Sequence, residues 1–160
     1  MHSFKSTVGG REVAWTFHFP FMFVKRLKAQ GIANLLEPEK PLSDAKPHPT
    51  VMLLREDLEY FVDVVWECVK EQAEKLGITA EQFGESLDES AFSGCRESFF
   101  QEWTDFFQKS GVPEKAAGLR KQLEVLNATA ERIAQIQTND LMGPVDAALK
   151  SLASSNSSGS

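Results

Sequence analysis

The 160 residues, 42% of them hydrophobic and 25% charged, suffice for one domain with a buried core and exclude a disordered body. The net charge of −6 is uneven: residues 1–31 carry Lys5, Arg11, Lys25, Arg26 and Lys28 against Glu12, a balance of +4, while residues 50–110 carry five basic against fourteen acidic side chains, or −9. An acidic middle of that size argues against nucleic acid as a partner, and solvated faces are the default reading of the rest.

Along the chain, "FKSTVGGREVAWTFHF" predicts a β-hairpin. Val13, Trp15, Phe17 and Phe19 alternate with Glu12, Ala14, Thr16 and His18, and Gly9-Gly10 supplies the positive φ of a tight turn. One face of that ribbon is apolar, and two strands alone are marginal, so the helices that follow are expected to cover it. Pro20 suits a first helical position, and "FMFVKRLKAQG" reads as a short helix stopped by Gly31. Four prolines, Pro38, Pro41, Pro47 and Pro49, mark 37–49 as a loop.

A single long helix is expected from Thr50, as its cap, to Gly77, because Val51, Leu54, Leu58, Phe61, Val65, Val69, Gln72, Ala73 and Leu76 recur at helical spacing. Thr79 with Gln82 forms a capping box for a brief helix, and Asp88 caps the next. That helix contains "FFQEWTDFFQ" at 99–108. At about 100° per residue, Phe99, Phe100, Trp103, Phe106 and Phe107 fall on one arc, with Glu97, Ser98, Gln101, Glu102, Asp105, Gln108 and Lys109 opposite. An arc this wide fits a core-facing helix, although a partner surface of the same composition would look identical.

After Gly111 and Pro113, a last helix carries the narrow seam Ala116, Leu119, Leu123, Leu126, Ala130 and Ile133. The steps are heptad-like, and a seam so thin suits docking onto one neighbour. Leu119, Leu123, Leu126 and Ile133 are the candidate partner-binding residues, and "SLASSNSSGS" reads as a disordered tail. The fold expected is mainly α: an N-terminal β-hairpin packed on a small bundle of amphipathic helices (1–110), a C-terminal long helix (111–150) and a disordered Ser-rich tail (151–160).

Catalytic and metal chemistry finds little support in the spacing. His2, His18 and His48 are scattered over a terminus, a strand and a loop, and Cys68 and Cys95 belong to no CxxC or Cys/His spacing. Asp63, Glu67 and Glu71 stack at four-residue steps and could grip a divalent ion, but no second helix supplies a Glu-x-x-His partner, so a solvated stripe is expected. No cofactor or metal site is expected. "MHSFKSTVGG" has no apolar core of a signal peptide, and no apolar run reaches the length of a membrane span, so a reducing cytoplasm is the expected location.

The order of elements is more telling than any one residue. "FKSTVGGREVAWTF", the basic "VKRLKAQGI", then "ECVKEQAEKLGITAEQFGESLDESAF" and "FFQEWTDFF" resemble the tail assembly chaperones of tailed phages and their uncharacterised prophage relatives, over residues 4–107. The resemblance implies a non-enzymatic protein that binds the helical tape measure protein, or other tail proteins, and assists tail tube assembly in the host cytoplasm. It implies neither nucleic-acid nor membrane binding and leaves a homo-oligomer open. Two alternatives stand beside it, a phage structural or connector subunit and a metal-dependent helical enzyme using the acidic stripe.

Overall fold

Gly9 and Gly10 take φ of 57° and 80° and turn strand β1 (His2–Val8) into β2 (Arg11–Phe17). Two successive positive-φ residues match the twist of a two-residue hairpin, and the register follows, with Val8 opposite Arg11, Ser6 opposite Val13, Phe4 opposite Trp15 and His2 opposite Phe17. Alternation buries Phe4, Ser6, Val13, Trp15 and Phe17 on one face and turns Lys5, Glu12 and Ala14 outward. The computed structural model describes the backbone of residues 1–142, and the side chains of all of these but 130, 134 and 137–142. The tail expected at 151–160 lies outside the described residues.

Pro20 precedes helix α1 (Phe21–Ala29) as its N-cap rather than its first residue, its carbonyl accepting from the Phe23 and Val24 amides at 3.0 and 3.2 Å. The proline-rich segment is not a loop throughout. Strands β3 (Pro41–Ser43) and β4 (Lys46–Pro49) form a second small ribbon, in which every strand is an edge, the one place in a sheet that tolerates proline. Thr50 serves that ribbon instead of capping a helix: its amide and its hydroxyl both donate to the Lys40 carbonyl at 3.0 Å, and Pro49 holds the N-cap position.

The long helix expected from 50 to 76 is two, α2 (Thr50–Glu56) and α3 (Leu58–Leu76). Asp57 breaks it. At φ −95° and ψ 100° its carboxylate accepts from the Tyr60 amide at 3.0 Å, the N-cap role in which aspartate outperforms its own poor helix propensity. Gly77 at φ 70° ends α3 as expected. The Thr79–Gln82 capping box starts α4 (Ala80–Glu85), and Asp88 caps α5 (Glu89–Lys109) by accepting from the Ala91 amide at 2.9 Å. Helix α6 runs Pro113–Met142.

The stretch "FFQEWTDFFQ" lies inside. Phe99 and Trp103 are fully buried, with Phe107 at 1% exposure. The Phe99 ring is the centre of the packing, with centroids of Phe17, Phe19 and Phe61 at 5.5, 5.3 and 5.3 Å. Phe99 thereby touches β2, the turn after it and α3 at once. Helices α3 and α5 meet through their rings, Phe61 lying 5.3 Å from Phe99 and 6.1 Å from Phe100 between centroids. Both buried indoles find acceptors, Trp15 Nε1 donating to Ser6 Oγ and Trp103 Nε1 to the Leu35 carbonyl, each at 2.8 Å.

The chain divides into two units, Met1–Lys121 and Gln122–Ser160, and the first takes in the start of α6. It does so because the first turns of α6 bury Ala116 and Leu119. Lys115 on the same turns donates to the Leu36 carbonyl at 3.1 Å and lies 5.9 Å above the Phe107 ring.

Two outcomes test this packing. Trp103→Ala is expected to cost about 3–5 kcal/mol, read from the urea midpoint; an unchanged midpoint would take the aromatic face out of the core. Tyr60, the one tyrosine of the chain, donates its hydroxyl to the Ile32 carbonyl at 2.6 Å, and burial first, with the Asp57 charge second, pushes its pKa up to about 12. A proton held more tightly in the folded state stabilises fully below the ordinary phenol value of about 10 and is lost as pH rises through the folded one. Phenolate absorbance is therefore expected to appear near pH 12 in the native protein and about two units lower in urea. Coincident titrations would refute burial of the hydroxyl.

Candidate functional site

The expected docking seam is divided by the structure. Leu119 is 1% exposed and packs in the first unit, so it is a core residue and no part of an open surface. Leu123 and Leu126 are half-buried, and Ile133 is 50% exposed. Val125 and Ile136, which the heptad reading passed over, are also open, at 58% and 53%. Eleven residues, three helical turns, separate those two, which sets them on one line of the helix beside the seam, with Thr129 and Arg132 between them. Past Lys121, then, α6 presents aliphatic side chains on the seam and, interrupted by Arg132, on the line beside it. An even step of three and four finds the seam only, which is why the line beside it was missed.

A second apolar feature lies within the first unit. Phe21, Leu36, Phe106, Phe107, Val112 and Lys115 line a shallow groove, with Phe21 54% exposed at its rim.

The polar side of α5 is solvated only in part: Glu97, Gln101, Gln108 and Lys109 are exposed, as the spacing predicts. Ser98 and Glu102 are buried, because β1 and the segment after β2 lie along that flank. Ser98 Oγ donates to the Ser3 carbonyl at 2.8 Å, and Glu102 Oε2 accepts from the Phe19 amide at 3.2 Å. The second Glu102 oxygen, Oε1, receives no hydrogen bond and has the Met1 amino group 3.5 Å away. One turn on, Asp105 Oδ2 accepts from His2 Nε2 at 2.6 Å, and that hydrogen bond holds the Asp105 carboxyl below the usual carboxylate range. His2 occupies an inward position of β1, in phase with Phe4 and Ser6. Strand parity, applied two residues upstream of the predicted hairpin, was the signal that would have placed it.

The other polar candidates stay apart. His18 and His48 are exposed on separate elements. Asp63 and Glu71 are exposed, and Glu67 takes Lys70 at 2.8 Å, so the acidic stripe does not gather into a cluster. Burial pushes both thiols up, Cys68 further through the neighbouring Cys95 and Glu67, and keeps them in the unreactive protonated form at neutral pH. Among the described residues no helix is long and apolar enough to cross a membrane. The sequence matches no protein-family model, and comparison with curated proteins and with solved structures returns no significant match.

Glu102→Ala, which strands the buried Phe19 amide, is expected to cost about 1–3 kcal/mol in urea unfolding. Glu102→Gln keeps an acceptor oxygen and is expected to cost less. Equal losses from the two would mean that charge, and not the amide bond, is what Glu102 contributes.

Proposed function

We propose that the chain is a non-enzymatic tail assembly chaperone of a tailed phage or prophage, which binds the tape measure protein in the host cytoplasm and holds it soluble until the tail tube encloses it. The observation that carries this reading is the set of aliphatic side chains on α6 beyond Lys121, where Val125, Ile133 and Ile136 are at least half exposed. Isolated exposed apolar residues are ordinary on a protein surface, but Leu123, Leu126 and Ile133, at steps of three and seven on one helix, fit the spacing of anchors in helix-in-groove recognition. A tape measure helix, before assembly, offers a stripe of the same period. The order of elements over 4–107 supports the same family.

Docking is assigned to Leu123, Leu126 and Ile133 of the original seam, together with Val125 and Ile136; Leu119 stays with the core. The test is co-expression of the chain with the long helical protein encoded beside it. A chain ending at Lys121 keeps Ala116 and Leu119 and is expected to retain native circular dichroism, less the signal of the missing turns, yet to leave the partner insoluble. In the full chain, Leu126→Glu with Ile133→Glu is expected to weaken capture about tenfold or more, since a charge at an apolar anchor costs as much as a hot spot. Full capture by both variants would reject α6 and leave the groove rimmed by Phe21 as the surface to mutate. Stable rings or tubes formed by the chain alone would favour a connector subunit.

A further inference from the structure

We propose that His2, Glu102 and Asp105 form a binding site for one zinc ion, joining the start of β1 to the middle of α5. Each side chain offers one ligand atom, and the three atoms lie within 4.8 Å of one another. Glu102 and Asp105 stand three residues apart on one helix face, and the packing of β1 along α5 brings His2 across to them.

The independent observation is the state of Glu102. Its side chain is 3% exposed, one oxygen is held by the Phe19 amide, and the other, Oε1, has no hydrogen-bond donor. A buried carboxylate with an unused oxygen is costly unless a cation or donor completes it. The Met1 amino group lies 3.5 Å from it, within ion-pair reach but too distant to hydrogen-bond well. A metal ion between Glu102, His2 and Asp105 gives Oε1 the direct bond that it lacks. The Phe19 amide then acts as the outer-shell partner that fixes the carboxylate, as such partners do in metal sites.

The donor set selects the ion. One imidazole with two carboxylates suits zinc, at about 2.0–2.2 Å per bond, and disfavours magnesium and calcium, which take oxygen alone. In tetrahedral array, ligand atoms around zinc stand about 3.3–3.5 Å apart. His2 Nε2 and Asp105 Oδ2 thus separate by less than an ångström from their present 2.6 Å, while the wider spacings contract. Both side chains are partly exposed, at 28% and 39%, and have room to adjust. Zinc displaces the Nε2 proton to solvent, and Nε2 then takes the metal with the remaining ring proton on Nδ1. Three protein ligands leave a fourth position for water.

The untagged full chain, dialysed free of metal, is titrated with zinc chloride by calorimetry and by thermal unfolding. One equivalent is expected to bind and to raise the melting temperature, reversibly with a chelator, with magnesium chloride giving no shift. His2→Ala and Asp105→Asn alter partly exposed groups and are expected to keep the native circular dichroism while each lowers zinc affinity at least about tenfold. Absence of saturable binding by the wild-type chain overturns the proposal. So does binding that both variants retain unchanged, which would assign the zinc to scattered surface carboxylates. Neither result bears on capture of a helical partner by α6, so this proposal and the chaperone reading fail separately.

Discussion

A two-stranded ribbon has an unpaired backbone edge on each side, and in the first unit helix side chains reach both edges at the Ser3–Thr16 pair. On the β2 side, Gln72 of α3 meets Thr16 twice, its amide oxygen accepting from the Thr16 amide at 2.9 Å and its nitrogen donating to the Thr16 carbonyl at 2.7 Å. On the β1 side, Ser98 of α5 donates to the Ser3 carbonyl. Just beyond β2, Glu102 takes the Phe19 amide. Side chains of two helices do here what a third and fourth strand would do in a larger sheet. This placement forces α3 and α5 onto opposite flanks of the ribbon, and the gap between them is what the aromatic rings fill.

That gap explains the composition of α5. Helices held apart by a ribbon cannot interlock small side chains, so phenylalanine and tryptophan span the distance, with Phe99 edge-on to Phe17, Phe19 and Phe61. At the far end of the ribbon, the layer contains a short polar chain. The Trp15 indole donates to Ser6, whose hydroxyl lies 2.8 Å from that of Ser86. Ser86 Oγ is in turn 2.6 Å from the Phe83 carbonyl, an acceptor only, so the single Ser86 proton goes there and Ser6 is the donor between the two serines. Every proton in the chain has one place to go, which specifies a unique seating of α4 against the ribbon.

Signals that act within a few residues were legible in the sequence. The Gly9-Gly10 turn, the Thr79–Gln82 box, the Asp88 cap and the Gly77 stop each depend on neighbours along the chain, and each stands where the spacing put it. Asp57 was misread because the apolar period of α2 and α3 continues almost in phase across it, hiding the break. The β3–β4 ribbon was missed because proline argues against strands in general but not against a ribbon made of edges alone. Glu102 and Ser98 were assigned to water because a helical wheel knows its own polar side but not that a strand will lie along it. The same limit applies to His2: the parity that points it inward is local, whereas the carboxylates it meets are about a hundred positions away.

The continuity of α6 bears on kinetics. An isolated helix must first fix a turn of backbone for little return, and this nucleation penalty, a factor of about a thousand, keeps short amphipathic peptides mostly unwound in water. In α6 the burial of Ala116 and Leu119 sets that first turn as part of folding. The turns from Gln122 onward need only propagate from it. Any ligand for the strips of Leu126 and Ile133 therefore meets a helix already wound, and its association rate escapes the penalty that a detached copy of the same residues would incur.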